Sequence, residues 1–120
     1  AEEDSSSFDL IEKELAAILK HYRPAVAAVE TLFFFKNLKT VMPVSQARGV
    51  ILLTLARQKI PIYEFSPLQV KMTIAGYGRA EKKQVQRMVK EILALPEIPK
   101  PDDAADGLAL AIACSITQRG

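Results

Sequence analysis

The chain has 120 residues, of which 49% are hydrophobic and 25% charged, and its net charge is +2. This length supports one domain with one core, and the composition excludes an intrinsically disordered chain. The longest apolar run, residues 108–114, is far shorter than the roughly 18 residues of a membrane-spanning helix. Cys114 is the only cysteine, which excludes an internal disulfide and favours a reducing compartment.

The small net charge conceals three blocks of different sign. Residues 1–35 carry a net charge of −4, residues 36–90 a net charge of +9, and residues 91–120 a net charge of −3. A block this basic is typical of a surface that binds phosphate groups. The alternative is a solvated, lysine-rich face of ordinary helices.

The first predicted element is an amphipathic helix. Apolar residues recur at helical spacing from Phe8 to Leu19. We expect this helix to end near His21, because the residue before Pro24 is disfavoured in helical geometry. Residues 1–7, with the sequence AEEDSSS, are expected to be disordered.

Two short apolar runs predict buried strands. Residues 25–29 form the first run, which stops at Glu30, and residues 60–65 form the second. Residues 37–58, between them, predict a helix that is apolar on most faces and therefore buried against the sheet or a partner chain. We expect the chain to dimerise through this helix. A stable monomer in sedimentation, with the apolar half of the helix buried inside it, would exclude that interface.

Three further helices are predicted in the second half of the chain. They cover residues 67–75, with Ser66 as N-cap, residues 81–95, and residues 102–116, with one of the first two aspartates as cap. Two strands that are each followed by a helix predict an α/β class with a parallel strand pair. Parallel sheets normally contain more strands, so we expect additional strands N-terminal to this sequence.

Three acidic residues are candidates for a metal site. Glu30 closes a predicted buried strand, and ligands of open α/β sheets bind beyond the carboxyl ends of strands. Asp103 and Asp106 are three residues apart at the start of the last helix and so share one face. Carboxylates that converge without a basic partner repel each other, and Mg²⁺ or Mn²⁺ would relieve that repulsion. The alternative is that the aspartates only cap the helix and complement its dipole.

Aromatic and basic residues predict a nucleic-acid surface. Phe33 begins a run of three phenylalanines followed by Lys36 and Asn37, a combination that suits stacking on unpaired bases. The alternative is that some of these rings enter the core. Four cations surround the flexible break at residues 76–78 and are predicted to contact phosphates: Lys71, Arg79, Lys82 and Lys83.

Five motifs occur in order along almost the whole chain, from about Phe8 to Thr117. They are AVETLFFFKN, QARG, PLQVK, GYGRAEKKQVQ and DDAADGLALAIA. Together they resemble the RuvC-type Holliday junction resolvases. The resemblance implies an RNase H-like fold, with a mixed sheet flanked by helices. It also implies a Mg²⁺-dependent endonuclease (Mn²⁺ is the alternative ion) that acts as a homodimer on four-way DNA junctions. The resemblance also implies a branch-migration motor complex as a partner. It implies a location of the protein in the bacterial cytoplasm or an organelle.

The same resemblance assigns roles to individual residues. The catalytic, metal-binding carboxylates of the family match Glu30, Asp103 and Asp106. The family's aromatic at unstacked bases matches Phe33, and its lysines near the scissile phosphate match Lys71 and Lys82. The neighbouring Asp102 receives no metal role.

One part of the family pattern has no match. The family's first catalytic aspartate lies on an N-terminal strand with a G-I-D-P-G-like motif, and the residues before Phe8 do not resemble it. We therefore expect residues 1–120 to be a single RNase H-like nuclease domain that is N-terminally incomplete. We also expect this chain to be nearly inactive on its own and prone to aggregate. Two other functions stay open. One is a non-catalytic junction- or DNA-binding domain, and the other is a related RNase H-like nuclease that processes RNA.

Overall fold

A computed structural model describes the backbone of residues 2–31 and 38–119 and the side chains of residues 7–31 and 43–118. Phe33 and Asn37 lie outside the described residues. The elements are α1 (Glu2–Tyr22), β1 (Ala27–Glu30), α2 (Leu38–Arg57), β2 (Ile62–Phe65), α3 (Pro67–Ala75), α4 (Lys82–Ile92) and α5 (Asp102–Arg119). Their order is the predicted one. No helix in the described part of the chain is both long and apolar enough to cross a membrane.

Several element boundaries differ from the prediction, three helix ends by three residues or more, and one of these is the end of α5 at Arg119 instead of residue 116. Helix α1 begins at Glu2, so residues 2–7, which were expected to be disordered, are helical. Extending an existing helix costs little, and this segment has no Pro or Gly to stop it. Helix α4 ends at Ile92, before the predicted residue 95, and Ala94 has a left-handed φ of 53°. The helix closes with a Schellman motif, in which the Leu95 N–H donates to the Lys90 carbonyl at 2.9 Å and the Ala94 N–H donates to the Glu91 carbonyl at 3.2 Å.

The two strands form the predicted parallel pair, with order β1–β2. The Ala27 N–H donates to the Pro61 carbonyl at 2.9 Å, and the Thr31 N–H donates to the Phe65 carbonyl at 2.7 Å. Donor and acceptor both advance by four residues, which is the register of parallel strands. Glu30 is the last residue of β1 and lies at the carboxyl end of the pair.

The chain forms two compact units. The α1–α2 unit contains Ala1–Ala27 and Phe33–Ile62, and the α3–α5 unit contains Ala28–Leu32 and Tyr63–Gly120. In the α1–α2 unit, α1 packs against α2. Thr54 is buried in α2, and its hydroxyl donates to the Val50 carbonyl at 2.7 Å, so this buried polar group is satisfied.

The core of the α3–α5 unit lies among three helices that pack on one another. It consists of Ile74, Val89, Ala109 and Ala113, against which Val70, Val85, Met88 and Ile112 pack. Small residues at positions 105, 109 and 113 of α5 are all buried, so one narrow face of this helix approaches its neighbours closely. Gly107, which lies between Ala105 and Ala109 in sequence, faces open space.

Helix α3 has well-defined ends. The Ser66 N–H donates to Gln69 Oε1 at 2.7 Å, and the Gln69 N–H donates to Ser66 Oγ at 3.1 Å, which is a capping box. At the other end Gly76 adopts a left-handed φ of 88°, and its N–H donates to the Met72 carbonyl. These caps fix the length of the helix that carries Lys71.

We predict opposite effects of alanine at two glycines of the α3–α5 unit. Gly76→Ala places a side chain at a left-handed φ and should lower the free energy of unfolding by about 1–2 kcal/mol. Gly107→Ala adds a methyl group in open space within a helix and should raise it by about 1 kcal/mol. Urea denaturation followed by circular dichroism measures both. Equal destabilisation by the two substitutions would contradict the described backbone.

Candidate functional site

Four of the predicted site residues line one pocket of the α3–α5 unit. Its volume is about 280 Å³, and its charged residues are Glu30, Lys71, Lys82 and Asp106. The other lining residues are Pro67, Val70, Val85, Ala109 and Leu110. The pocket therefore combines two carboxylates and two ammonium groups with an apolar wall.

The secondary structure explains why these side chains meet. Glu30 is the last residue of β1. Lys71 follows Pro67 by four residues in α3, so Lys71 and Pro67 lie on one face of that helix. Asp106 and Ala109 are likewise one turn apart in α5. Because Ala109 is buried in the core and also lines the pocket, the packing of α5 fixes the position of Asp106.

The two carboxylates influence each other electrostatically. Burial raises the pKa of the Glu30 carboxyl above its usual value, and the negative charge of Asp106 raises it further. Glu30 is partly buried, whereas Asp106 is exposed. The pocket therefore holds two like charges whose repulsion any bound cation would relieve.

The expected convergence of three carboxylates is not found in the part of the chain with described side chains. Within residues 7–31 and 43–118, no three His, Cys, Asp or Glu side chains are grouped closely enough to hold a metal ion. Glu30 and Asp106 share the pocket, but Asp103 does not line it. Two carboxylates still suit a hard divalent cation, because Mg²⁺ commonly keeps several waters and binds one or two carboxylates together with substrate phosphates.

The expectation that the carboxylates have no basic partner is wrong. Lys82 Nζ lies 3.3 Å from Asp102 Oδ2 and 3.9 Å from Asp106 Oδ2. The pKa of the Lys82 ammonium is raised first by its hydrogen bond with Asp102, and then by the charges of Asp106 and Asp102, with a smaller effect of Asp103. Lys82 is thus a resident cation beside the carboxylate of Asp106.

Sequence reasoning missed the contribution of Asp102. Besides its ion pair with Lys82, its Oδ1 accepts a long hydrogen bond of 3.4 Å from Gln86 Nε2. Lys82 and Gln86 are four residues apart in α4, so a residue that reaches both must face this side of the helix. That spacing was visible in the sequence, but the packing of α4 against α5 was not.

The remaining predicted DNA-binding residues lie outside the pocket or outside the described chain. Arg79 and Lys83 are exposed and do not line the pocket. Phe33 and Asn37 fall in the segment that the structure does not describe. Of the four predicted cations, Lys71 and Lys82 therefore line the pocket with the two carboxylates, and Arg79 and Lys83 do not.

We predict that Glu30 makes stability depend on pH. The pKa of Glu30 is higher in the folded state than in the unfolded state, so the protonated carboxyl favours folding. This contribution to the free energy of unfolding is fully present below the unfolded-state pKa. It is lost as the pH rises through the folded-state pKa. In buffer with a chelator, Glu30→Gln should therefore gain stability over the parent as pH rises above about 4. Urea denaturation at a series of pH values measures this difference. A difference that stays constant with pH would contradict the geometry.

Similarity to known proteins extends over most of the chain. Residues 2–114 match the family model of the crossover junction endodeoxyribonuclease RuvC. The RuvC protein of Roseiflexus sp. (strain RS-1) is 57% identical over 103 residues, which cover 86% of this chain and 61% of that protein. The RuvC protein of Heliobacterium modesticaldum is 55% identical over 111 residues, which cover 92% of this chain and 68% of that protein. The chain thus spans about three fifths to two thirds of the length of these relatives.

Solved structures show the same fold. The structure of Thermus thermophilus RuvC superposes with a TM-score of 0.90 at 34% identity, covering 97% of this chain and 70% of that one. The T. thermophilus RuvC structure in complex with Holliday junction substrate gives a TM-score of 0.86 at 30% identity, with the same coverage. The predicted RNase H-like α/β class is therefore confirmed. The chain belongs to the RuvC family of crossover junction endodeoxyribonucleases.

Proposed function

We propose that this chain carries the nuclease site and part of the DNA-binding surface of an endodeoxyribonuclease that resolves four-way junctions. The observation that supports the proposal is the pocket in which Glu30 and Asp106 lie with Lys71 and Lys82. Carboxylates that bind a cation and ammonium groups that bind phosphate both suit metal-assisted phosphodiester hydrolysis. Membership of the RuvC family supports the choice of a DNA junction over an RNA substrate.

Glu30 and Asp106 are the proposed ligands of a divalent cation, Mg²⁺ or alternatively Mn²⁺. Their hard oxygen atoms and their mutual repulsion fit such an ion. Asp103 is the proposed third carboxylate on the family resemblance alone, because it does not line the pocket. When bound, the ion supplies an activated water and charge stabilisation at the phosphate.

The cations of the α3–α5 unit are the proposed phosphate contacts. Lys71 and Lys82 lie at the carboxylates and would neutralise the phosphate that is cleaved. Arg79 and Lys83 are exposed near the start of α4 and would contact the backbone beside it. Phe33 and Asn37 are proposed to meet unstacked bases, a role that rests on the family resemblance alone.

Homodimerisation through α2 and association with a branch-migration motor complex are also proposals. Leu55 of α2 is buried within the chain itself and Leu53 is 51% exposed. A single exposed leucine is ordinary on a protein surface, so the dimer proposal rests on the family resemblance. Sedimentation that finds only monomer at micromolar concentration would contradict the dimer.

The nuclease proposal is tested with Glu30→Gln and Asp106→Asn. We measure junction cleavage in Mg²⁺ by this chain and by a chimera in which the N-terminal strands of a full-length family member precede it. The chain alone should cleave poorly, whereas the chimera should cleave and lose roughly a hundredfold or more of its rate with either substitution. Junction binding should persist in both variants, because the substitutions remove no cation.

Asp9→Asn is the matched control, since Asp9 pairs with Lys13 at 2.9 Å in α1 and lies outside the pocket. Its cleavage rate should equal that of the parent. A chimera that binds junctions and does not cleave them in any divalent metal would favour the non-catalytic domain. Faster hydrolysis of structured RNA than of the DNA junction would favour the RNA-processing nuclease.

The two pocket lysines should differ in the salt dependence of junction binding. Lys71 makes no ion pair with any described side chain. Lys71→Gln should therefore make the negative slope of log affinity against log salt shallower by about one. Lys82→Gln should make the slope shallower by a smaller amount, because Asp102 and Asp106 already neutralise part of the Lys82 charge. Lys13→Gln is the control and should leave the slope unchanged. An unchanged slope in Lys71→Gln would show that the pocket does not contact phosphate.

A further inference from the structure

Asp102 joins two residues of α4 through its two carboxylate oxygens. Oδ2 lies 3.3 Å from Lys82 Nζ, and Oδ1 accepts the hydrogen bond of Gln86 Nε2 at 3.4 Å. Each oxygen therefore has its own donor, and both donors come from one face of α4. This arrangement gives the carboxylate a defined position although it is exposed.

Lys82 has a second carboxylate within reach. Asp106 Oδ2 lies 3.9 Å from Lys82 Nζ, which is 0.6 Å farther than Asp102 Oδ2. Asp106 lines the pocket and Asp102 does not. The Lys82 ammonium is thus held closer to a carboxylate outside the pocket than to the carboxylate inside it.

An ammonium group and a divalent cation compete for the same carboxylate oxygens. If Lys82 closed on Asp106, it would neutralise the charge that attracts the ion and occupy part of the space beside it. The nearer hydrogen bond with Asp102 opposes this movement. Gln86 supports the hydrogen bond between Lys82 and Asp102, because it restrains the other oxygen of Asp102.

We propose that Asp102 is a positioning residue that holds the Lys82 ammonium at the edge of the pocket and so leaves the Asp106 carboxylate available to a divalent cation. The inference rests on the proposed metal site at Glu30 and Asp106. It assigns no direct contact with the ion to Asp102. It allows Lys82 to make its proposed contact with phosphate without blocking the metal ligand Asp106.

The experiment measures Mn²⁺ binding to the 120-residue chain without DNA, from the electron paramagnetic resonance signal of free Mn²⁺. The variants are Asp102→Asn, Lys82→Met and the double substitution. Asp102→Asn should raise the Kd for Mn²⁺ by up to about fivefold, the upper limit of what an exposed ion pair contributes. Lys82→Met should lower the Kd. Adding Asp102→Asn to Lys82→Met should then leave the Kd unchanged, because no ammonium remains to be positioned.

A purely electrostatic role for Asp102 gives a different result. Loss of one nearby negative charge would weaken Mn²⁺ binding to the same extent with or without Lys82, and this outcome would overturn the inference. Gln86→Ala provides a second test that changes no charge. It should raise the Kd in the same direction by a smaller factor, and an unchanged Kd would count against positioning even if Asp102→Asn failed to fold.

Two further variants separate this inference from the proposed function. Mn²⁺ binding that is unaffected by both Glu30→Gln and Asp106→Asn would overturn the proposed metal site and the inference together. Binding that depends on Glu30 and Asp106, with equal effects of Asp102→Asn in both backgrounds, would overturn the inference alone. Asp9→Asn, which removes a carboxylate from the ion pair in α1, should leave the Kd at the parent value.

Discussion

Repulsion between two carboxylates in one pocket is the constraint on which the functional part of this chain depends. Glu30 is fixed at the end of β1 and Asp106 in the second turn of α5, and both line the same pocket. Burial raises the pKa of Glu30 and the charge of Asp106 raises it further, so the pocket disfavours the ionised form of Glu30 even with the Lys82 ammonium beside Asp106. The fold retains an unfavourable pair that a divalent ion would convert into a favourable one.

The packing of α5 makes this arrangement rigid. Three alanines spaced four residues apart, at positions 105, 109 and 113, are almost completely buried and let α5 approach α3 and α4 closely. Asp102 and Asp106 are carried on the same helix and so have defined positions beside α4. The ion pairs with Lys82 then follow from helix packing, because the first two turns of α5 lie beside the first turn of α4.

Local patterns in the sequence were sufficient for most of the fold. The strand that closes at Glu30, the N-cap at Ser66 and the break at Gly76 each depend on neighbouring residues, and each is found where it was predicted. Tertiary contacts could not be predicted in this way. The approach of Lys82 to Asp102 and the open space beside Gly107 depend on how α4 and α5 pack, which no short-range spacing encodes.

The central claim is that Glu30 and Asp106 form one divalent-cation site, and anomalous diffraction from crystals soaked in Mn²⁺ tests it most directly. The account predicts an anomalous peak in the pocket within about 2.6 Å of a carboxylate oxygen of each residue. Lys82 should remain hydrogen-bonded to Asp102 in the same crystals. A pocket without a peak at saturating Mn²⁺, or a peak bound only by Asp102 and Asp103, would contradict the account.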